Sequence, residues 1–196
     1  RQNWQLLHGW IRDYVPDDFR LLNLFSYTGA FALAAADARP ASTIVNVDSS
    51  QSALDLAAQI AQANASRFDG SVMDYVNANV FDYLRDASRQ GQQFDVLVLD
   101  PPKFAHSKGQ VEKAARGYKD LNLNALRLVK PGGYMMTFSC SGSINQDLFQ
   151  KIVFGALADS GRAAQVVRHL SAGDDHPAAL TFPEGDYLKG LLLRVY

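Results

Sequence analysis

The sequence of residues 94–103 is Phe94-Asp95-Val96-Leu97-Val98-Leu99-Asp100-Pro101-Pro102-Lys103. The aliphatic run has the length and composition of a buried parallel strand. The proline pair ends that strand, because each proline fixes φ and removes a backbone donor. We therefore expect Asp100 at the carboxyl end of a strand, the edge where open α/β sheets bind ligands. A solvated turn is the competing interpretation, so the rest of the chain has to decide.

Strand-like and helix-like segments alternate on both sides of this run. An amphipathic helix opens the chain, with Trp4 and Leu7 among its apolar residues, and Thr28, Ser49 and Asn145 are predicted helix caps. The pattern predicts a doubly wound, Rossmann-like α/β fold whose seven-stranded sheet is mostly parallel. The last two strands are joined by a loop without a helix, so we expect an antiparallel strand at the sheet edge. The predicted strands are 21–25, 43–48, 72–76, 94–100, 133–139, 164–170 and 187–195, and the later helices are 28–38, 50–64, 80–90, 109–129 and 145–160.

The composition of the chain restricts the class of protein to which it can belong. A chain of 196 residues with 47% hydrophobic and 20% charged residues predicts one domain, and neither a membrane-spanning run nor a signal segment is recognisable. A net charge of −1 gives no support for a protein that binds a nucleic-acid backbone over its whole surface. The single cysteine, Cys140, cannot form an internal disulfide, which agrees with a reducing compartment. We expect a cytoplasmic protein.

The first two predicted strands carry a cofactor signal. The first strand runs into Ser26-Tyr27-Thr28-Gly29, and the second ends at Asp48, 19 residues after Gly29. An acid at this distance is placed to accept hydrogen bonds from a ribose. Only one of the three glycines of a dinucleotide fingerprint is present, which disfavours a pyrophosphate. S-adenosylmethionine has a ribose and no phosphate, and fits better. For Asn79, an adenine contact and a helix cap both stay open.

Cys140 ends the predicted strand beside that of Asp100. A small core residue is the usual role of such a cysteine. Here its neighbours are small and polar, and the start of a helix soon after would favour the thiolate. A thiolate that adds to C6 of cytosine makes C5 nucleophilic, and Asp100 could hold the proton at N3. The base that removes the C5 proton is not identified.

A basic segment follows the proline loop. Phe104 and Tyr118 are interleaved with cations, a combination that suits phosphate contact and base stacking. Solvated helix charges are the alternative, favoured for Lys108 and Lys113, whereas Lys103 and Arg116 are the stronger candidates. The cations of the segment are Lys103, Lys108, Lys113, Arg116 and Lys119.

Together these motifs resemble the bacterial 23S ribosomal RNA cytosine-5 methyltransferases that carry an N-terminal PUA domain. The resemblance covers nearly the whole chain, and the linked set is more specific than any single motif. The matching segments are 23–29, 47–48, 95–104, 116–120, 137–142, 175–177 and 187–190.

The resemblance implies that residues 1–196 form the methyltransferase catalytic domain of a longer protein, whose PUA domain lies outside this chain. It implies S-adenosylmethionine as cofactor, no metal, and large-subunit ribosomal RNA as partner, with no membrane and with a homodimer left open. Cys140 is then the nucleophile and Asp100 orients the base. The implied cofactor contacts are Arg1, Phe25, Tyr27, Thr28, Gly29, Asp48, Asn79, Asp100 and Pro101, and the implied substrate contacts are Pro102, Lys103, Phe104, Arg116, Tyr118 and Lys119.

The chain departs from related enzymes at two positions. Lys103 stands where many RNA cytosine-5 methyltransferases carry a second cysteine that helps to release the product, and Asn79 stands where an aspartate is common. Three alternatives stay open: a methyltransferase for guanine or another substrate that needs no thiol, a nicotinamide dehydrogenase, and a non-catalytic RNA-binding domain.

Overall fold

The computed structural model describes residues 2–40, 42–68, 70–105, 107–174, 176–182, 185 and 187–196. Arg1, a predicted cofactor contact, lies outside the described residues, and so does Asp175 of the segment 175–177.

The chain alternates helices and strands as the sequence predicts. The helices are α1 (Gln2–Tyr14), α2 (Ala30–Ala38), α3 (Gln51–Ala63), α4 (Val80–Arg89), α5 (Val111–Leu128) and α6 (Gln146–Ser160), with short 3-10 turns at Ala65–Arg67 and Lys108–Gln110. The strands are β1 (Arg20–Leu24), β2 (Thr43–Asp48), β3 (Val72–Asn77), β4 (Phe94–Leu99), β5 (Val129–Ser139), β6 (Ala164–Ser171) and β7 (Lys189–Val195).

All seven strands form one sheet in the order β3-β2-β1-β4-β5-β7-β6. Strands β1 to β5 pair in parallel, whereas β7 runs antiparallel to both β5 and β6. The predicted doubly wound, mostly parallel sheet is therefore confirmed. The antiparallel strand β7 lies one place in from the edge, between β5 and β6. The chain order reverses between β1 and β4, which is the point where sheets of this kind bind ligands.

Two of the three predicted helix caps are displaced by one residue. Ser50, not Ser49, caps α3 by accepting a hydrogen bond from the Ala53 amide at 3.3 Å. Helix α2 begins after Gly29 in a left-handed conformation, with no side-chain cap from Thr28. Asn145 caps α6 as predicted, because its Oδ1 accepts from the Leu148 amide at 2.9 Å.

Apolar side chains cover both faces of the sheet. One core joins α1 and α2 to the sheet, and the other joins α4, α5 and α6 to its opposite face. Two-sided burial explains why β1, β2 and β4 are almost continuously apolar. It also fixes the carboxyl ends of the parallel strands as one rigid edge. None of the helices built from the described residues is both long and apolar enough to cross a membrane.

Candidate active site

The predicted site residues follow the carboxyl ends of neighbouring strands. Leu24 of β1 pairs with Leu99 of β4, and Leu99 pairs with Thr137 of β5. The residues after these strands, including Asp100 and Cys140, therefore share one edge of the sheet.

The loop after β1 has an unusual backbone. Phe25, Tyr27 and Gly29 all have positive φ, at 57°, 46° and 77°. Positive φ angles are unfavourable for residues with a Cβ. Backbone strain of this kind is typical of functional sites, so its occurrence at two non-glycine positions indicates a functional loop. The Gly29 amide donates to the Ser26 carbonyl at 2.8 Å, which closes the loop ahead of α2.

Asp48 ties this loop to β2. Its Oδ2 accepts from the Tyr27 amide and its Oδ1 accepts from the Ser50 amide, both at 2.9 Å. Each carboxylate oxygen keeps a second lone pair. Asp48 can therefore organise the loop and still accept hydrogen bonds from a ribose.

Two buried polar atoms beside the loop suit a polar ligand. Ser26 Oγ and Asn46 Nδ2 have no hydrogen-bond partner among the described residues. Asn46 is close to the loop glycine, because a Cβ built on Gly29 would lie 3.9 Å from Asn46 Oδ1. Orphaned buried polar groups call for a missing partner. These residues and Asp48 fit the predicted cofactor.

Asn79 acts as a helix cap. Its Oδ1 accepts from the Phe81 amide at 2.9 Å at the start of α4. Nearby, Asn77 donates from Nδ2 to the Ser49 carbonyl at 3.3 Å. The capping interpretation of Asn79 is confirmed, and the adenine contact stays a prediction.

Asp100 is a poorly solvated carboxyl group at the proline loop. Burial raises its pKa from an ordinary 3.8 to about 6. Near neutral pH this side chain can therefore both donate and accept a proton. A side chain that shares a proton with a nucleobase must be able to do both.

Cys140 lies against the same loop. Its Sγ is 3.8 Å from the Pro101 carbonyl oxygen, to which the thiol donates. Burial and then the Asp100 carboxylate raise the pKa of the Cys140 thiol, while its own backbone N–H, Lys189 and Lys103 lower it. In the free protein the pKa of the thiol is raised overall, so these groups together do not favour the thiolate. The contribution predicted from the following helix stays a prediction. Helix α6 begins only at Gln146, and desolvation beside Asp100 outweighs the neighbouring cations.

Ser141 connects the Cys140 segment to the proline loop. Its fully buried Oγ accepts from the Phe104 and Ala105 amides, each at 3.2 Å, and lies 3.0 Å from the Tyr118 hydroxyl. The two amide bonds join the segment after β5 to the segment after β4. They fix the spacing between Cys140 and the proline loop.

A cavity of about 270 Å³ contains both predicted catalytic side chains. Its volume is on the scale of a small-ligand site. Aromatic side chains supply flat apolar walls, and His176 and Tyr187 add polar groups from the loop between β6 and β7. The lining residues are Asn3, Trp4, Phe31, Asp100, Phe138, Cys140, Ala172, Gly173, His176, Gly185, Tyr187 and Leu188.

The predicted substrate residues divide into two groups. Pro102, Lys103 and Arg116 are exposed, and Phe104 is partly exposed beside them. Tyr118 is fully buried, which removes its ring from contact with a base. That ring instead packs on Phe104, with the two centroids 4.8 Å apart.

Lys119 is directed away from the cavity. It forms an ion pair with Asp159 of α6 at 2.7 Å. The structure gives its ammonium a partner between two helices, so the substrate contact predicted for Lys119 is not supported by its position.

Sequence reasoning missed the roles of Ser141 and Lys189, and of His176 and Tyr187 in the cavity wall. Lys189 could have been found as a charged residue inside the apolar run at the end of the chain. Ser141 had only its position beside Cys140 to mark it. In the described part of the chain, no group of three or more His, Cys, Asp or Glu side chains could hold a metal ion.

The sequence is similar to those of known methyltransferases. A family model described as S-adenosylmethionine-dependent methyltransferase matches residues 3–193. The chain is 51% identical over 175 residues to ribosomal RNA large subunit methyltransferase I of Aeromonas salmonicida, a match covering 89% of this chain and 43% of the relative. It is 52% identical over 176 residues to the protein of the same name from Shewanella amazonensis, covering 90% and 44%. The chain thus spans less than half the length of these relatives.

Solved structures share the fold. SMU.776, crystallised in complex with SAH, superposes with a TM-score of 0.79 at 22% identity, over 96% of this chain and 48% of that one. A SAM-dependent methyltransferase from Agrobacterium tumefaciens has a TM-score of 0.70 at 18% identity, over 98% and 60%. At these identities the likeness concerns architecture alone.

Proposed function

Because the chain belongs to the S-adenosylmethionine-dependent methyltransferase family, we propose that it methylates C5 of a cytosine in large-subunit ribosomal RNA through a covalent bond to Cys140. The names of its relatives support the RNA substrate. A ribosomal RNA substrate also agrees with the expected cytoplasmic location.

One observation carries the choice of reaction. Asp100 and Cys140 line the same cavity, and the Cys140 thiol lies 3.8 Å from the Pro101 carbonyl of the proline loop. A methyltransferase that modifies a more reactive atom needs the acid and the cofactor crevice, but not a thiol. Placing the chain's single thiol in the cavity favours attack on a carbon that must first be activated.

Asp48 and the positive-φ loop through Gly29 hold the cofactor in this proposal. When bound, S-adenosylmethionine supplies an electrophilic methyl group. Phe31 and Phe138 supply apolar walls to the cavity in which the reaction takes place. The chain's own task is to make cytosine C5 nucleophilic.

Cys140 and Asp100 perform that task together. The Cys140 thiolate adds to C6 while the ring takes up a proton at N3, which places the electrons of the former C5–C6 double bond at C5. Asp100, with its pKa raised to about 6, donates the N3 proton. Protonation of Asp100 also removes the negative charge that opposes the thiolate. After C5 is methylated, loss of its proton to a base restores the C5–C6 double bond and expels the Cys140 thiolate. N3 then returns its proton to the Asp100 carboxylate, which leaves neutral 5-methylcytosine.

A second candidate function is methylation of another RNA base without a covalent intermediate. The raised pKa of the Cys140 thiol favours it, because a protonated thiol is a poor nucleophile. The two candidates share the fold, the cofactor and Asp100. They differ only in whether the thiol is needed.

The deciding experiment is covalent trapping on RNA that contains 5-fluorocytosine. Fluorine at C5 blocks the final elimination, so a Cys140 adduct should accumulate as a denaturation-resistant complex. Cys140→Ala should form no complex and transfer no methyl group to unmodified RNA. Normal methylation by Cys140→Ala would overturn the covalent mechanism and favour the second candidate.

Two controls keep the result interpretable. Cys140→Ala should bind S-adenosylmethionine and melt like the parent protein, because its side chain is shorter by one atom at a partly exposed position. The assay should also be repeated with the longer protein that the resemblance implies, because a net charge of −1 predicts weak RNA binding by residues 1–196 alone.

A further inference from the structure

Lys189 is a buried cation beside the proposed nucleophile. Its side chain belongs to the first residue of β7 and is 7% exposed. Among the described residues it is the one charged residue in the buried class. Burying an ammonium group is costly unless hydrogen bonds replace its water. A lysine retained at such a position needs an explanation.

The register of the sheet brings Lys189 to the Cys140 segment. Lys189 pairs with Ser139, the residue before Cys140, across β5 and β7. Its Nζ donates to the Ser141 carbonyl at 2.7 Å and to the Ile144 carbonyl. Both bonds reach the turn that directly follows Cys140.

These bonds close the turn over residues 141–144. The Ser141 carbonyl also accepts from the Ile144 amide at 3.0 Å, so the turn is held by one backbone bond and by the ammonium group. On its other side, Ser141 Oγ holds the proline loop through the Phe104 and Ala105 amides. Ser141, the residue directly after Cys140, is thus fixed both at its carbonyl group and at its hydroxyl group.

The charge of Lys189 acts on the same thiol. Among the described residues, the titratable groups around Cys140 are Asp100 and Lys103 of the proline loop, Tyr118 of α5, His176 and Tyr187 of the cavity wall, and Lys189. Asp100 opposes the thiolate, whereas both lysines favour it. Solvent screens a charge on exposed Lys103 far more than a charge on buried Lys189.

We propose that Lys189 is a positioning residue for Cys140: its ammonium group fixes the turn after the nucleophile through two carbonyl bonds and offsets the negative charge that forms on Sγ. The catalytic meaning of this inference rests on the proposed function. The effect on the thiol does not, because it can be measured without RNA.

The test is the pH dependence of Cys140 alkylation by iodoacetamide in Lys189→Met and Lys189→Arg. Cys140 is the chain's single cysteine, so the reaction reports on one thiol. Alkylation of Lys189→Met at pH 7.5 should be about tenfold slower than that of the parent, because loss of the Lys189 charge raises the pKa of the thiol further. Lys189→Arg keeps the charge and should stay within about twofold of the parent.

Lys130→Met is the matched control. Lys130 lies in β5 near its amino end and pairs with Asp95 at 2.8 Å, away from Cys140. Its removal should leave the alkylation profile unchanged. If Lys189→Met does not fold, Lys189→Gln replaces it, because the amide can donate to a carbonyl without charge. Equal alkylation profiles for the neutral variant and Lys189→Arg would overturn the proposal.

Methylation separates this inference from the proposed function. Lys189→Met should lower kcat at pH 7.5 more than it raises KM, and should recover part of kcat at pH 9, where the thiol ionises unaided. A purely structural role predicts a loss that higher pH does not repair, and that result would also overturn the proposal. If Cys140→Ala methylates RNA normally, the covalent mechanism fails, while the alkylation result still decides whether Lys189 tunes the thiol.

Discussion

Replacing Asp100 by asparagine should stabilise the free protein at neutral pH. Burial raises the pKa of Asp100 from 3.8 to about 6. At about 1.36 kcal/mol per pKa unit, the ionised carboxylate costs up to about 3 kcal/mol of unfolding free energy. Asparagine has nearly the same shape and never ionises. The ionised Asp100 carboxylate of the proposed active site thus lowers the free energy of unfolding, and this single substitution should restore it.

The sign of the effect fixes its pH dependence. Below about pH 4 the carboxyl group is protonated in both the folded and the unfolded chain, so the full stability is present. Between about pH 4 and pH 6 the folded chain keeps a proton that the unfolded chain has lost, and the unfolding free energy falls as pH rises. Above about pH 6 the penalty is complete. Asp100→Asn should therefore match the parent protein near pH 3.5 and exceed it by up to about 3 kcal/mol at pH 7.5.

Urea denaturation of both proteins between pH 3.5 and pH 8, at constant ionic strength and without cofactor, measures this difference. Asp55→Asn is the control, because this exposed residue of α3 should change stability by less than about 0.5 kcal/mol. Asp100→Asn should also lower the pKa of the Cys140 thiol, whose ionisation the Asp100 carboxylate opposes. The reasoning is refuted if Asp100→Asn gains no stability at pH 7.5, or if its gain is the same at every pH.

Three further substitutions test the cofactor loop, the α4 cap and the RNA contact. Gly29→Ala should lose about 1–2 kcal/mol in thermal unfolding, since φ is 77°, and should bind S-adenosylmethionine more weakly in calorimetry. Gly91→Ala, at φ 65° but away from the site, should lose stability alone. Asn79→Ala and Asn145→Ala should each cost about 1 kcal/mol as lost caps, but only Asn79→Ala should weaken cofactor binding; equal affinities would leave Asn79 as a cap. Arg116→Ala should reduce the salt dependence of RNA binding by about one unit of slope, and an unchanged slope would exclude a phosphate contact.

Much of the fold follows from local sequence patterns. The run Phe94–Leu99 and the prolines after it define one strand end, and the alternation of segments defines the rest. Strand β5 begins four residues earlier than predicted, at Val129, because its pairing with Phe94 continues across an irregularity in register. That continuation depends on a partner strand, which a local pattern does not contain. The position of β7 between β5 and β6 depends on distant pairing in the same way.

The site residues whose positions are set by the ends of parallel strands could be predicted from the sequence. Asp100 and Cys140 end neighbouring parallel strands, so one edge of the sheet brings them into one cavity. Tyr118 was misjudged, although its helical spacing from the apolar residues Ala114 and Leu121 indicates a buried face. The partner of Lys119 lies on another helix, and no local pattern reveals it.

The place of β7 has a consequence for how the protein is made. Strand β5, whose end carries Cys140, lacks a neighbour on one side until residues 189–195 leave the ribosome, and β6 has nowhere to attach before then. Until that moment the nascent chain presents an unpaired strand edge, which is prone to aggregation. Strand β7 also contains the buried Lys189. The segment around Cys140, the proposed nucleophile, therefore lacks its contacts with Lys189 throughout synthesis of β1 to β6. The sheet and this segment are completed together, when β7 pairs with β5.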